Sequence, residues 1–94
     1  MPRGVILVDY TDQGRRAIKD SPNRAEASKA EAAKLGVQVK DLFFTPGGPH
    51  DAAMVVEAEG PEPIHKLMSS VQSLGNVKMK FMRAFSIEEM RKMV

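Results

Sequence analysis

The chain alternates between short apolar runs and amphipathic stretches. Gly4 to Tyr10 (Gly-Val-Ile-Leu-Val-Asp-Tyr) is β-branched and apolar at both odd and even positions, the mark of a strand buried on two faces. The polar group Thr11-Asp12-Gln13-Gly14 ends it, and a helical stretch follows that breaks at Asp20-Ser21-Pro22. Ser21 is a good N-cap, with Pro22 at the first helical position, where a missing N–H costs nothing. From there to Gly36, Ala25, Ser28, Ala32 and Leu35 form one uncharged stripe among charged neighbours. Small side chains predict that this helix lies close against what it covers.

Val37 to Thr45 reads as a second strand, with Val37, Val39 and Phe43 on one face and Leu42 and Phe44 on the other. Gln38, Lys40 and Asp41 interrupt both rows, which predicts an edge position. Thr45-Pro46-Gly47-Gly48-Pro49 is the strongest turn signal. Asp51 to Ala58 is a third strand, again apolar on both faces through Val56. Gly60-Pro61-Glu62-Pro63 opens a second helix whose Ile64, Leu67, Met68, Val71 and Leu74 share one face, and Gly75-Asn76 closes it. Val77 to Phe85 alternates as a fourth strand, and Ser86-x-x-Glu89 is a capping box for a terminal helical turn with Ile87, Met90 and Val94.

This order predicts an α+β, ferredoxin-like βαββαβ domain over residues 1–94: a four-stranded antiparallel sheet with two helices on one face. Right-handed crossovers put the first and third strands in the centre. Two helices cover one face of such a sheet, yet Val5 to Val8 and Ala52 to Val56 offer apolar residues to both. An uncovered apolar sheet face needs a partner, and a second copy is the simplest one. A homodimer or higher homo-oligomer is therefore expected, with Val5–Tyr10 and Asp51–Val56 contributing to its interface.

Charge narrows the partners. Fourteen Lys and Arg against 12 Asp and Glu give a net charge of +2 spread over the chain, without the like-charge block of a nucleic-acid arm or membrane patch. The same strand order serves RNA-recognition modules, but those need aromatics and bases on the third strand, and Ala-Ala-Met-Val-Val-Glu-Ala has neither. Neither nucleic acid nor membrane is expected as a partner. No apolar run is long enough to span a bilayer and no leader is visible, so the cytoplasm is the default location. The lack of cysteine excludes disulfides, thiolate metal sites and thiol nucleophiles.

Candidate chemistry is sparse. His50 and Asp51 sit where the Gly/Pro turn feeds the third strand; as strand neighbours they point to opposite faces and do not form a ready dyad. Asp9 stands at the end of an apolar strand, and nothing in its spacing forces it towards His50. His65 lies off the apolar helix face, as a solvated residue would. Two histidines without a tight carboxylate cluster do not make a zinc pattern, and the seven methionines read as core filler. No metal or cofactor is expected.

The chain resembles the bacterial GYD-domain proteins in residues spread over its length. They include Tyr10-Thr11-Asp12-Gln13-Gly14, Ile18 to Pro22 with Arg24, Leu35-Gly36, Gly48-x-x-Asp51, Glu57-Ala58, Ser73 to Val77, and Arg83-Ala84-Phe85 with Glu88-Glu89. His50 stands where that family's Gly-x-Tyr-Asp turn has tyrosine, so a phenol-dependent role is in doubt. The resemblance implies a dimeric α/β barrel and no agreed chemistry. Tyr10, Gly48, His50 and Asp51 are the candidate ligand site: Gly48 for a tight turn, His50 as a titratable donor or acceptor, Asp51 to accept backbone N–H bonds. The expected function is small-molecule binding or sensing in an apolar pocket beside the sheet. The alternative is a cofactor-free monooxygenase or isomerase acting on a small organic substrate. Five aromatics and no tryptophan are a thin supply for gripping a flat substrate, which favours binding.

Overall fold

A computed structural model of the chain describes residues 2–94. The elements run β1 (Arg3–Tyr10), α1 (Asp12–Arg16), a 3-10 turn (Ile18–Asp20), α2 (Ser21–Lys34), β2 (Gln38–Phe44), β3 (Ala52–Glu57), α3 (Pro61–Gln72), β4 (Val77–Ala84) and α4 (Ile87–Met93). The four strands form one antiparallel sheet in the order β2-β3-β1-β4. The two runs that are apolar on both faces are thus the central strands. A strand flanked on each side by another cannot turn either edge to water, and both of its faces are available for packing.

Register assigns the faces. Val8 pairs with Ala52 and Met79, and Ile6 with Met54 and Phe81. Paired residues share a face, so Ile6, Val8, Ala52, Met54 and Val56 look towards the helices and are buried. From α3, Ile64, Leu67 and Met68 meet them; from just before β2, Val37 does. Val5, Leu7, Asp9, Ala53 and Val55 look the other way, onto a face that no helix covers and where the apolar positions stay half-exposed.

Three local expectations fail, each for a physical reason. In β2 the pairing slips between Val39 and Asp41, and this bulge inserts one residue. Val39 then faces the helices with Leu42 and Phe44, while Phe43 turns to the open face, 63% exposed, instead of sharing a side with Val39. Leu74 is not on the buried face of α3: the helix ends at Gln72, and Leu74 lies in the following turn, 67% exposed. Ser21 does not cap α2. Its residue position is already helical, Asp20 precedes the helix without a side-chain cap bond, and the Ser21 hydroxyl turns inward.

Side-chain bonds fix the start of α1 and, as the sequence predicts, the start of α4. Thr11 caps α1, accepting from the Gly14 N–H at 3.1 Å, and its own hydroxyl donates to the Gly75 carbonyl at 2.6 Å. Gln13 Nε2 donates to the Leu74 carbonyl and to Asn76 Oδ1, both at 3.0 Å. The start of α1 therefore clasps the turn between α3 and β4. Gly14 is packed so tightly on the Asn76 carbonyl that a Cβ there would overlap it. Ser86 and Glu89 form the reciprocal capping box of α4.

Candidate functional site

The small residues of α2 do not draw that helix down along its whole length. Ala32 is fully buried, but the N-terminal half of α2 stands away from the sheet. It is held at that height by a polar corner. The Tyr10 hydroxyl donates to Ser21 Oγ at 2.8 Å, and Arg24 Nη2 donates to the same oxygen at 3.2 Å. Arg24 also reaches the carbonyls of Ala17 (2.8 Å) and Gly14 (3.2 Å), tying α2 to the end of α1. The result is a hollow of about 400 Å³ between the sheet and α2 and α3. Its floor is Val8, Leu42, Ala52, Met54, Val77 and Met79; its roof includes Ala25, Ser28 and Val71. Tyr10, Ser21 and Arg24 stand at one end, and Glu31 borders the same space two helical turns further along α2.

A smaller hollow of about 320 Å³ shares Tyr10, Ser21 and Phe44 with the first and extends to Arg15, Pro46, Gly47 and Asp51. Here Asp51 Oδ2 accepts the Tyr10 backbone N–H at 2.8 Å and lies 3.4 Å from Arg15 Nη2. The Arg15 guanidinium stands 5.6 Å from the centre of the Tyr10 ring, within cation–π range. The carboxylate thus ties the hairpin to β1 across the strand ends, where β-ladder bonding stops.

The four residues expected to form one site are divided. Tyr10 and Asp51 are bonded together and border the smaller hollow; Tyr10 also borders the larger. Gly48 sits in the exposed turn, its N–H donating to the Thr45 carbonyl at 3.0 Å, and borders neither hollow. The left-handed conformation that the turn needs is taken by Gly47 instead, at φ 83°. His50 faces away from both hollows. Its Nδ1 lies 3.0 Å and 3.2 Å from the two oxygens of Asp9. A carboxylate only accepts, so in this contact Nδ1 is the donor, and among the described residues Nε2 has no hydrogen-bond partner.

The Asp9–His50 contact is the pairing that spacing along the chain does not reveal. It follows from the antiparallel register, which brings the end of β1 against the residues that enter β3; the Asp51 N–H donates to the Val8 carbonyl at 2.9 Å just beside it. Sequence reasoning also passed over Arg15, Ser21 and Arg24 as site residues. For Ser21 and Arg24 the available signal was their place among the residues that carry the resemblance; Arg15 had none. His65 is exposed, with its ring edge-on to Phe81 at 6.1 Å. Among the described residues, no three His, Asp or Glu side chains gather as a metal site would require.

Two stretches singled out in the sequence, residues 10–14 and 73–77, meet in the clasp, and Tyr10, Ser21 and Arg24 meet at the hollow. The chain matches the model of the GYD domain over residues 5–94, and this settles its kinship. The protein belongs to the GYD domain family. No curated protein matches this GYD domain. Among solved structures it is similar to the solution structure of the C-terminal domain of the MgtC protein from Mycobacterium tuberculosis. The two share 9% identity with a TM-score of 0.54, over 88% of this chain and 86% of that one. At that identity the likeness is one of fold. Among the described residues no helix is long and apolar enough to cross a membrane.

Proposed function

We propose that this GYD domain binds a small, largely apolar molecule in the hollow between its helices and its sheet, and that it works as a homodimer closed across the opposite sheet face. The observation that carries the binding reading is the hollow itself. At about 400 Å³ it falls within the range of small-ligand sites, and its walls are mainly apolar with polar groups gathered at one end. The Tyr10–Ser21–Arg24 corner stands at the polar end of this partly open space. Native mass spectrometry of protein taken directly from cells tests the reading. A retained small molecule supports it, whereas bare protein at every stage of gentle purification speaks against it.

The dimer reading rests on the open face. Val5, Leu7, Ala53 and Val55 form its centre, with Phe43 and Met82, 63% and 48% exposed, on either side. A standard interface takes about 800 Å² from each partner, roughly an eighth of the 6186 Å² surface of this chain. A cytoplasmic setting goes with this reading and rests on composition alone.

One observation favours a second reading, the cofactor-free enzyme. Asp9 orients His50 as a carboxylate orients a general base, and among the described residues nothing bonds Nε2. That pair lies on the open face, however, and the hollow lies on the other side of the sheet. An enzyme needs its base and its substrate pocket to converge, and here the sheet separates them. Binding is therefore the reading that the geometry supports better.

A further inference from the structure

The polar end of the large hollow carries more information than its size. The Tyr10 and Ser21 hydroxyls hold two protons, and the 2.8 Å bond between them uses one. Whichever way that bond runs, the second proton has no acceptor among the described residues. Ser21 is 6% exposed, and its hydroxyl stands at the wall of the hollow. Arg24 adds a positive charge with no counter-ion. Its guanidinium meets two carbonyls and the Ser21 hydroxyl, and none of the ion pairs among the described residues includes it. A half-buried cation and a spare hydroxyl proton thus face the end of an apolar space.

We propose that the hollow takes a monocarboxylic acid with an apolar body, its carboxylate received by Arg24 and by the spare proton of the Tyr10–Ser21 pair. This rests on the binding reading above and adds the chemical class of the ligand. A carboxylate supplies the missing counter-charge and the missing acceptor together, and charge-assisted bonds are the strong ones. Glu31 fixes the orientation, since it opposes an acid entering with its head towards the far end. From Arg24 to Glu31 along α2 is about 10 Å at the helical rise, room for a body of about eight carbons.

Calorimetric titration with octanoate and octanol, probes of equal length that differ in the head group, tests the proposal. At neutral pH octanoate is expected to bind about tenfold more tightly or better. Arg24→Gln is expected to remove that preference while leaving octanol binding in place. If Arg24→Gln fails to fold, by circular dichroism, the double variant Tyr10→Phe with Ser21→Ala, which removes both hydroxyl protons, serves instead and weakens octanoate several-fold more than octanol. Ala25→Leu, which fills the roof of the hollow, is expected to weaken both. Equal binding of the two probes, both weakened by Ala25→Leu, overturns the acid and leaves the hollow as the binding site. A preference that survives both head-group variants overturns the assignment of Arg24 and Tyr10. Binding that Ala25→Leu does not touch, or no binding of either probe, overturns the acid and the binding reading together.

Discussion

Replacing Ser21 by alanine removes one buried oxygen on which two donors converge. The Tyr10 hydroxyl at 2.8 Å and Arg24 Nη2 at 3.2 Å both lose their acceptor. Arg24 retains two carbonyl partners, at 2.8 and 3.2 Å, so its loss is small. Among the described residues Tyr10 has no other bond at its hydroxyl, which is left unsatisfied at the edge of an apolar space. Leaving a partly buried donor without a partner costs about 1–3 kcal/mol, and Ser21→Ala is placed in that range. Tyr10→Phe removes the donor itself and costs less, about 0.5–1.5 kcal/mol, because Ser21 keeps Arg24. The double variant should then be little worse than Ser21→Ala alone, since the stranded hydroxyl is gone. Urea denaturation of all four proteins at one fixed concentration measures this, because an oligomer's stability depends on concentration. Losses that add within about 0.3–0.5 kcal/mol would refute the idea that the two hydroxyls act as one bonded pair.

Other changes follow from the same geometry. Gly14→Ala forces α1 off the Asn76 carbonyl and should destabilise the fold by roughly 1–3 kcal/mol, read as a lowered urea midpoint. Val55→Lys puts a charge in the centre of the open face and should yield a folded monomer by light scattering, with unchanged circular dichroism. Asp9→Asn, on that same face, should leave ligand binding in the hollow unaltered in a calorimetric titration. The Glu89 carboxyl is held below its ordinary 4.5, first by the Ser86 backbone N–H, then by the Ser86 hydroxyl, and further by Arg3 and Arg83. Its stabilisation of α4 is thus complete above 4.5 and is lost as pH falls through the lowered value. Protection of the α4 amides relative to their intrinsic exchange rates should fall there in the native chain, and Glu89→Ala should abolish the pH step.

The fold was legible because the two central strands carry apolar residues at odd and even positions alike, a pattern that edge strands cannot tolerate. Ile6 with Val5, and Met54 with Val55, mark β1 and β3 as central before any pairing is known. The capping box at Ser86 and Glu89 was equally plain, being a local bond set within four residues. What escaped the sequence depends on register or on depth. The bulge after Val39 moves Phe43 to the open face, and no residue near Lys40 announces it. Asp9 meets His50 only once β1 lies antiparallel to β3, 41 positions apart in the chain. Ser21 reads as a cap because serine before Pro22 is a favoured helix start. Its actual partners are a tyrosine on β1 and an arginine one turn further along α2. The hollow was illegible for the same reason: small residues permit close approach, and a hydrogen-bonded corner decides whether it happens.

The central claim is that the ligand lies between helices and sheet, and methyl NMR of the native protein during titration with octanoate tests it most directly. Val8, Met54, Val77 and Met79 face the hollow, whereas Val5, Leu7 and Val55 face away from it. The account predicts saturable shifts in the first group with the second group still, at a protein concentration where the oligomer does not change. Shifts confined to Val5, Leu7 and Val55, beside Asp9 and His50, would contradict it.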